Sequence, residues 1–226
     1  MALEKGRVKK SIHWDIIIQT LRKVLNNKTV PSVSRVAYDN PDPFRVLVST
    51  VLSLRTKDDV TLKASARLFN EAPTPEHLAQ LTEEKIQSLI YPVGFYKNKA
   101  GHLKKIARIL IEQYNSKVPD SPEALLGLPG VGRKTANLVL NLGFNIPAIC
   151  VDTHVHRISN RCGWVRTKTP EQTEFALMDI LPEQYWIPIN ELLVKFGQNI
   201  CTPVSPWCSR CPIMSDCPRE GVDRSR

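Results

Sequence analysis

No stretch of this 226-residue chain is an uninterrupted apolar run of membrane-spanning length, and no apolar core follows the charges of the opening MALEKGRVKK. A membrane span and a secretory leader are therefore not expected, and the composition reads as that of a soluble intracellular protein. An alternating apolar and polar pattern is missing throughout, which removes the sheet classes and leaves an all-α fold. Internal repeats, low-complexity tracts and heptads are absent too, so solenoid and coiled-coil readings fall away and a monomer is expected. Acidic residues are comparatively scarce: 22 Asp and Glu stand against 31 Lys and Arg, for a formal charge of +9. Such a balance suits an acidic polymer as partner, although basic charge alone establishes only attraction. The charge is grouped. The first 35 residues hold eight Lys and Arg, and Lys97 to Arg108 holds five with no acid.

What is present is an ordinary globular composition, 42% hydrophobic and 23% charged, on a chain long enough for one large or two modest cores. Apolar residues recur at helical spacing from Trp14 to Leu25. The run from Pro43 to Leu54 is apolar nearly throughout, and its length without an internal Gly or Pro favours a buried helix. Helices are expected over Asp58 to Phe69, after Thr74-Pro75, after Thr82, over Lys97 to Tyr114, and later over Pro170 to Leu181 and Pro188 to Ile200.

The stretch around which the chain is organised is Leu128-Pro129-Gly130-Val131-Gly132-Arg133-Lys134-Thr135-Ala136-Asn137. A segment led by Ser121 and Pro122 enters it, a Pro-Gly-x-Gly turn reverses it, and a second helix carrying Lys134 leaves it. Glycines let a ligand approach the backbone. The N–H groups of Val131, Gly132 and Arg133 are then expected to stand free at a helix N-terminus, where free donors and the dipole favour an anion such as phosphate. A cation is poorly placed in that first turn, and the same placement makes the neutral amine of Lys134 easier to reach, as a nucleophile needs. Farther on, Asp152 precedes Thr153 and His154 in the position of an N-cap to a helix ending near Gly163.

Six cysteines without a leader point to metal or cluster ligation rather than disulfides. Cys201, Cys208, Cys211 and Cys217 form C-x6-C-x2-C-x5-C on a proline-rich tail, while Cys150 and Cys162 read as small core residues. Spacing alone leaves zinc and a [4Fe–4S] cluster equally open.

The hairpin, Lys134, Val151-Asp152-Thr153-His154 and the four-cysteine tail, in this order, closely resemble the endonuclease III family of DNA glycosylases, from about Asp15 to Pro218. The resemblance implies two helical lobes with duplex DNA in the cleft between them. In that arrangement residues 36–146 form a six-helix barrel that includes the helix-hairpin-helix of about 121–144, and residues 1–35 with 147–226 form a discontinuous cluster lobe. It implies a [4Fe–4S] cluster at the four cysteines, Lys134 as the Schiff-base nucleophile and Asp152 as the essential carboxylate. A lysine at this position points to a bifunctional glycosylase and AP lyase, acting on oxidised pyrimidines such as thymine glycol. Its place is expected to be the cytoplasm, on the nucleoid in a prokaryote.

The chain departs from the family pattern in three places. Ser53-Leu54-Arg55-Thr56-Lys57-Asp58 carries Arg55 where a glutamine commonly enters the opened stack, and Gly94-Phe95-Tyr96 carries Phe95 where leucine is common. Residues 202–207 of the cysteine loop hold no charge, so Gly130, Val131, Gly132 and Arg133 of the hairpin, with the basic Lys97 to Arg108 segment, are expected to carry phosphate binding. Two other readings are a glycosylase for mismatched thymine or uracil and a non-catalytic DNA-binding module, and docking alone would need neither Lys134 nor Asp152.

Overall fold

A computed structural model describes residues 12–226; the basic Lys5, Arg7, Lys9 and Lys10 lie outside the described residues. The elements are α1 (Trp14–Leu25), α2 (Ser32–Asp39), α3 (Pro43–Ser53), α4 (Asp58–Glu71), α5 (Pro75–Gln80), α6 (Glu83–Ile90), α7 (Tyr96–Tyr114), α8 (Pro122–Leu126), α9 (Arg133–Phe144), α10 (Thr153–Arg161), α11 (Pro170–Met178) and α12 (Trp186–Asn199). No strand occurs among the described residues.

Local chemistry starts many of these helices. Asp42, Thr74, Thr82, Ser121, Asp152 and Thr169 each accept a backbone N–H from the first turn of the helix they precede, and proline follows the cap in α3, α5, α8 and α11. Thr82 caps Lys85 N–H at 3.2 Å although residue 85 is not the Glu or Gln of a capping box.

Burial sorts the helices into two cores. One runs from Val33 on α2 to Cys150 and is built on α3, whose Val46, Leu47, Val48 and Leu52 are all fully enclosed. A helix apolar on every side must be central, and α3 packs against α2, α4, α7 and α9. The second core joins α1 to α10, α11 and α12, with Trp14, Phe196, Ile158 and Leu193 inside it and Trp207 and three of the tail cysteines at its edge. Beginning and end of the described chain thus share one core.

Two elements depart from the sequence expectation. Helix α2 stands where no helix was expected, and Pro31 caps it without a side-chain bond. It buries Val33 and Ala37 in the first core, and the Ser32 hydroxyl and N–H both donate to Asp58 Oδ1 at 2.6 and 3.1 Å. Helix α12 begins at Trp186, two residues before the expected Pro188, because a proline in the first turn lacks an N–H that would have had no helical partner there.

The crossing between the cores places the site. Residues 146–152 connect α9 to α10 without regular structure, and three buried asparagines hold them by the main chain. Asn141 exchanges two hydrogen bonds with Ala148 (2.8 and 2.9 Å), Asn137 donates to Ile149 O (2.9 Å), and Asn190 of α12 donates to Cys150 O (3.0 Å). Buried amides must be paired, so this seam fixes the register of Asp152 against α9.

Candidate active site

Gly130 turns the hairpin with φ +75°, a conformation that glycine adopts without strain, and a Cβ there would stand 2.5 Å from His102 Nδ1 of α7. Gly132 by contrast faces open space. The expectation of three free donors is corrected by one residue: Val131 is buried and its N–H donates to Leu128 O at 3.1 Å. The turn itself uses that donor. The N–H groups of Gly132, Arg133 and Lys134 have no partner among the described residues, so the anion-binding end of α9 is shifted one residue along the chain.

Lys134 is the second residue of α9 and is half-buried. Its amine makes no hydrogen bond or ion pair among the described residues. Across the seam Asp152 caps α10, its Oδ1 accepting from His154 N–H (2.8 Å) and Val155 N–H (2.9 Å), while Oδ2 has no partner among the described residues. One carboxylate oxygen is structural and the other is available. Cys150 sits beneath, its thiol donating to Lys134 O at 3.4 Å, and burial pushes that thiol up to about 12. Burial also lowers His154, next to the charges of Asp152 and Arg157. His154 and Arg157 pack on Gly197 of α12, where a Cβ would meet them at 2.4 and 2.8 Å.

Arg133 is the residue whose expected use differs most. Its guanidinium is bidentate with Glu174 of α11, Nε to Oε2 at 3.1 Å and Nη2 to Oε1 at 2.6 Å, and lies 4.9 Å from the Phe175 ring. Glu174 holds the guanidinium above its ordinary value. The side chain therefore ties the start of α9 to the second core, and only its backbone N–H faces outward as a donor. Sequence reading missed Glu174 because its partner is 41 residues away.

Arg55 and Phe95 lie on two loops that the fold brings together. Both have positive φ, +52° and +58°, both are exposed, and the Arg55 guanidinium stands 5.6 Å from the Phe95 ring centre. Phe95 is 61% exposed, so it is a projecting apolar group and not part of the core. Of the five basic residues between Lys97 and Arg108, two turn inward: Lys99 is buried at the exit of α3 and Lys104 donates to Leu81 O at 2.6 Å. The exposed cations of that helix are Lys97, Lys105 and Arg108.

The cysteine tail closes through 3-10 turns at Cys208–Arg210 and Met214–Asp216. Cys201, Cys208, Cys211 and Cys217 all line one cavity of about 330 Å³, counting its open mouth, with Phe196, Ile200, Pro206 and Trp207. No three His, Cys, Asp or Glu side chains among the described residues are gathered as a single ion would require. Four soft thiols facing one cavity are the donor set of iron–sulfur ligation. Charge missing from residues 202–207 is supplied by neighbours: Arg161 donates to Thr202 O and Pro203 O, and Arg210 and Arg226 both stand 4.0 Å from the Trp207 ring.

Comparison with known proteins gives the family. Residues 48–183 match the family model described as HhH-GPD superfamily base excision DNA repair protein. The endonuclease III of Thermotoga maritima is 56% identical over 176 residues, covering 78% of this chain and 83% of that one. The chloroplastic endonuclease III homolog 2 of Arabidopsis thaliana is 44% identical over 91% of this chain, which spans 58% of that longer protein. Among solved structures, a trapped endonuclease III–DNA covalent intermediate superposes with a TM-score of 0.81 at 34% identity, over 92% of this chain and 97% of the other. A helical fold of two cores, a glycine hairpin opening onto a lysine and a relative of this identity converge on one conclusion: the chain belongs to the endonuclease III family of base excision repair glycosylase/AP lyases, within the HhH-GPD superfamily.

Proposed function

We propose that this chain excises oxidised pyrimidines, thymine glycol among them, from duplex DNA and cleaves 3′ to the resulting abasic site by β-elimination through an imine on Lys134. The observation that carries the reading is the uncommitted Lys134 amine at the open end of α9, across the seam from a carboxylate whose Oδ2 is also uncommitted.

In this mechanism the free N–H groups of Gly132, Arg133 and Lys134 hold a backbone phosphate at the dipole's positive end. A base inside a duplex is out of reach and must be extruded. Arg55 and Phe95 fill the vacated stack, Phe95 as an apolar wedge. The Lys134 nitrogen then forms a bond to C1′ as the C1′–N bond to the base breaks; the base leaves with the electron pair and takes up a proton. Opening of the sugar ring yields a protonated imine, which acidifies the 2′ hydrogen. Loss of that proton and rupture of the C3′–O bond expel the 3′ phosphate. Asp152 Oδ2 serves as the proton carrier and stabilises positive charge developing on the sugar, while its Oδ1 stays fixed by the α10 cap.

Cys201, Cys208, Cys211 and Cys217 would hold a [4Fe–4S] cluster, which when bound supplies a covalent tie for a tail with little apolar content of its own. The protein would act as a monomer on damaged or abasic duplex DNA in the cytoplasm, at the nucleoid in a prokaryotic cell. No described helix is long and apolar enough to cross a membrane.

Borohydride trapping on duplex DNA bearing an abasic site tests the reading. A covalent adduct with the wild type that is lost in Lys134→Ala is expected. No adduct from a cluster-loaded, DNA-binding wild type would remove the lyase step.

A further inference from the structure

Lys99 is buried, 5% exposed, in a protein whose other helical cations mostly face solvent. Its ammonium reaches from α7 to the exit of α3 and donates to Leu52 O (2.9 Å), Leu54 O (2.5 Å) and Thr56 Oγ1 (3.3 Å). Three donors meet three acceptors. An ammonium is the side-chain group with three donors on one compact centre, and the two carbonyls are the orphan acceptors of a helix C-terminus, where a cation is favoured.

The network does not end at α3. Thr56 Oγ1 accepts from Gly94 N–H at 3.1 Å and lies 3.2 Å from Leu54 O, to which it donates. Gly94 in turn lies so close to the neighbouring loop that a Cβ on it would stand 2.5 Å from Arg55 O. The two loops therefore meet backbone to backbone, and the residues that follow the joints are Arg55 and Phe95. Both are held at positive φ, a conformation unfavourable for a non-glycine residue and kept only where the surroundings enforce it. Burial lowers Lys99 to about 8, which leaves it charged at neutral pH.

We propose that Lys99 is the clasp of the intercalating edge: by tying Leu52 and Leu54 to Thr56, and through Thr56 to Gly94, it sets the spacing at which Arg55 and Phe95 enter the opened duplex. Lys99 touches neither DNA nor the reacting atoms. It is a positioning residue, and the proposal rests on the reading of Arg55 and Phe95 as the groups that fill the vacated stack.

The test compares a substrate that needs the edge with one that does not. Single-turnover excision is measured on duplex DNA containing thymine glycol, and borohydride trapping on a single-stranded oligonucleotide with an abasic site, which has no stack to fill. The variants are Lys99→Met, Thr56→Val, Phe95→Ala and Arg55→Ala, with thermal melting to establish folding. Lys99→Met is expected to slow duplex excision about tenfold or more, Thr56→Val to act in the same direction, and both to trap on the single strand within about twofold of wild type, since misplacement by an ångström costs up to 100-fold. Equal losses on both substrates would show a merely structural role and overturn the proposal. Unchanged duplex excision in Lys99→Met, with Phe95→Ala and Arg55→Ala slowed, would also overturn it while leaving the edge intact. If Phe95→Ala and Arg55→Ala are themselves as fast as wild type, the reading of the edge fails first. Should Lys99→Met fail to fold, Thr56→Val decides by the same comparison.

Discussion

Asp152 offers a perturbation whose structural and chemical consequences separate. Its Oδ1 accepts two main-chain N–H groups, from His154 and Val155, and its Oδ2 is uncommitted. Asparagine presents the same acceptor and caps helices about as well as aspartate, so Asp152→Asn keeps the α10 start and removes the charge. Alanine removes both. The lost cap costs about 1 kcal/mol, within a range of 0.5–2, and the lost anion at the helix N-terminus roughly another 0.3–1 kcal/mol. For a chain of this length each kcal/mol moves Tm by about 2–4 °C, so Asp152→Ala is expected to melt roughly 2–12 °C below wild type and Asp152→Asn no more than about 4 °C below. Activity divides the other way. Both variants lose the carboxylate proposed as proton carrier, and both are expected to fall by about 100- to 10,000-fold in single-turnover excision. Calorimetry and gel-resolved excision on the same preparations read the two effects. An Asp152→Asn enzyme as fast as wild type would refute the catalytic role and leave Asp152 a cap; an Asp152→Asn protein as unstable as Asp152→Ala would refute the cap.

Three further outcomes follow from other parts of the site. Glu174 is 8% exposed at its side chain and Arg133 39%, so losing Arg133 strands the more buried partner; Arg133→Met should cost about 2–3 kcal/mol and Glu174→Gln about 1, read by urea unfolding, and the reverse order would sink the assignment. The Cys150 thiol, raised from about 9 to about 12 by burial, stays protonated in the folded protein when the unfolded chain has already lost its proton. Its contribution to stability is thus complete below about pH 9 and is lost as pH rises from 9 to 12. Cys150→Ala should show a shallower alkaline loss of Tm than wild type, and native alkylation at pH 8 should spare Cys150 in peptide mass maps. Replacing Cys208 by Ser should abolish stoichiometric iron and loosen residues 201–217 to protease; retention of four irons per chain would exclude Cys208 as a ligand.

How much of this could be read from the chain itself depends on distance along it. The hairpin turn, the capped starts of α3, α5, α6, α8 and α11, and the Asp152 cap are set by residues one to three positions apart, so local chemistry suffices to find them. Four cysteines within 17 residues announce a chelating tail in the same way. Helix α2 was invisible because the partner that anchors its start, Asp58 accepting from the Ser32 hydroxyl and N–H, is 26 residues away. The basic run from Lys97 to Arg108 shows the same limit: its sequence gives five cations, and only packing reveals that Lys99 and Lys104 serve carbonyl groups inside the protein.

The sequence by itself determined the elements and their chemistry: an all-α chain, a glycine hairpin that ends on a lysine, an aspartate at a helix start and a thiol-rich tail. Tertiary structure decided which groups are free to act. It committed the Arg133 guanidinium to Glu174, used the Val131 N–H in the turn, left the Lys134 amine and Asp152 Oδ2 uncommitted across the asparagine seam, and set Arg55 beside Phe95. The physical reason is that hydrogen-bond capacity is finite. A side chain's type says what it is able to bind, and only the neighbours that folding brings from far along the chain determine how much of that capacity remains.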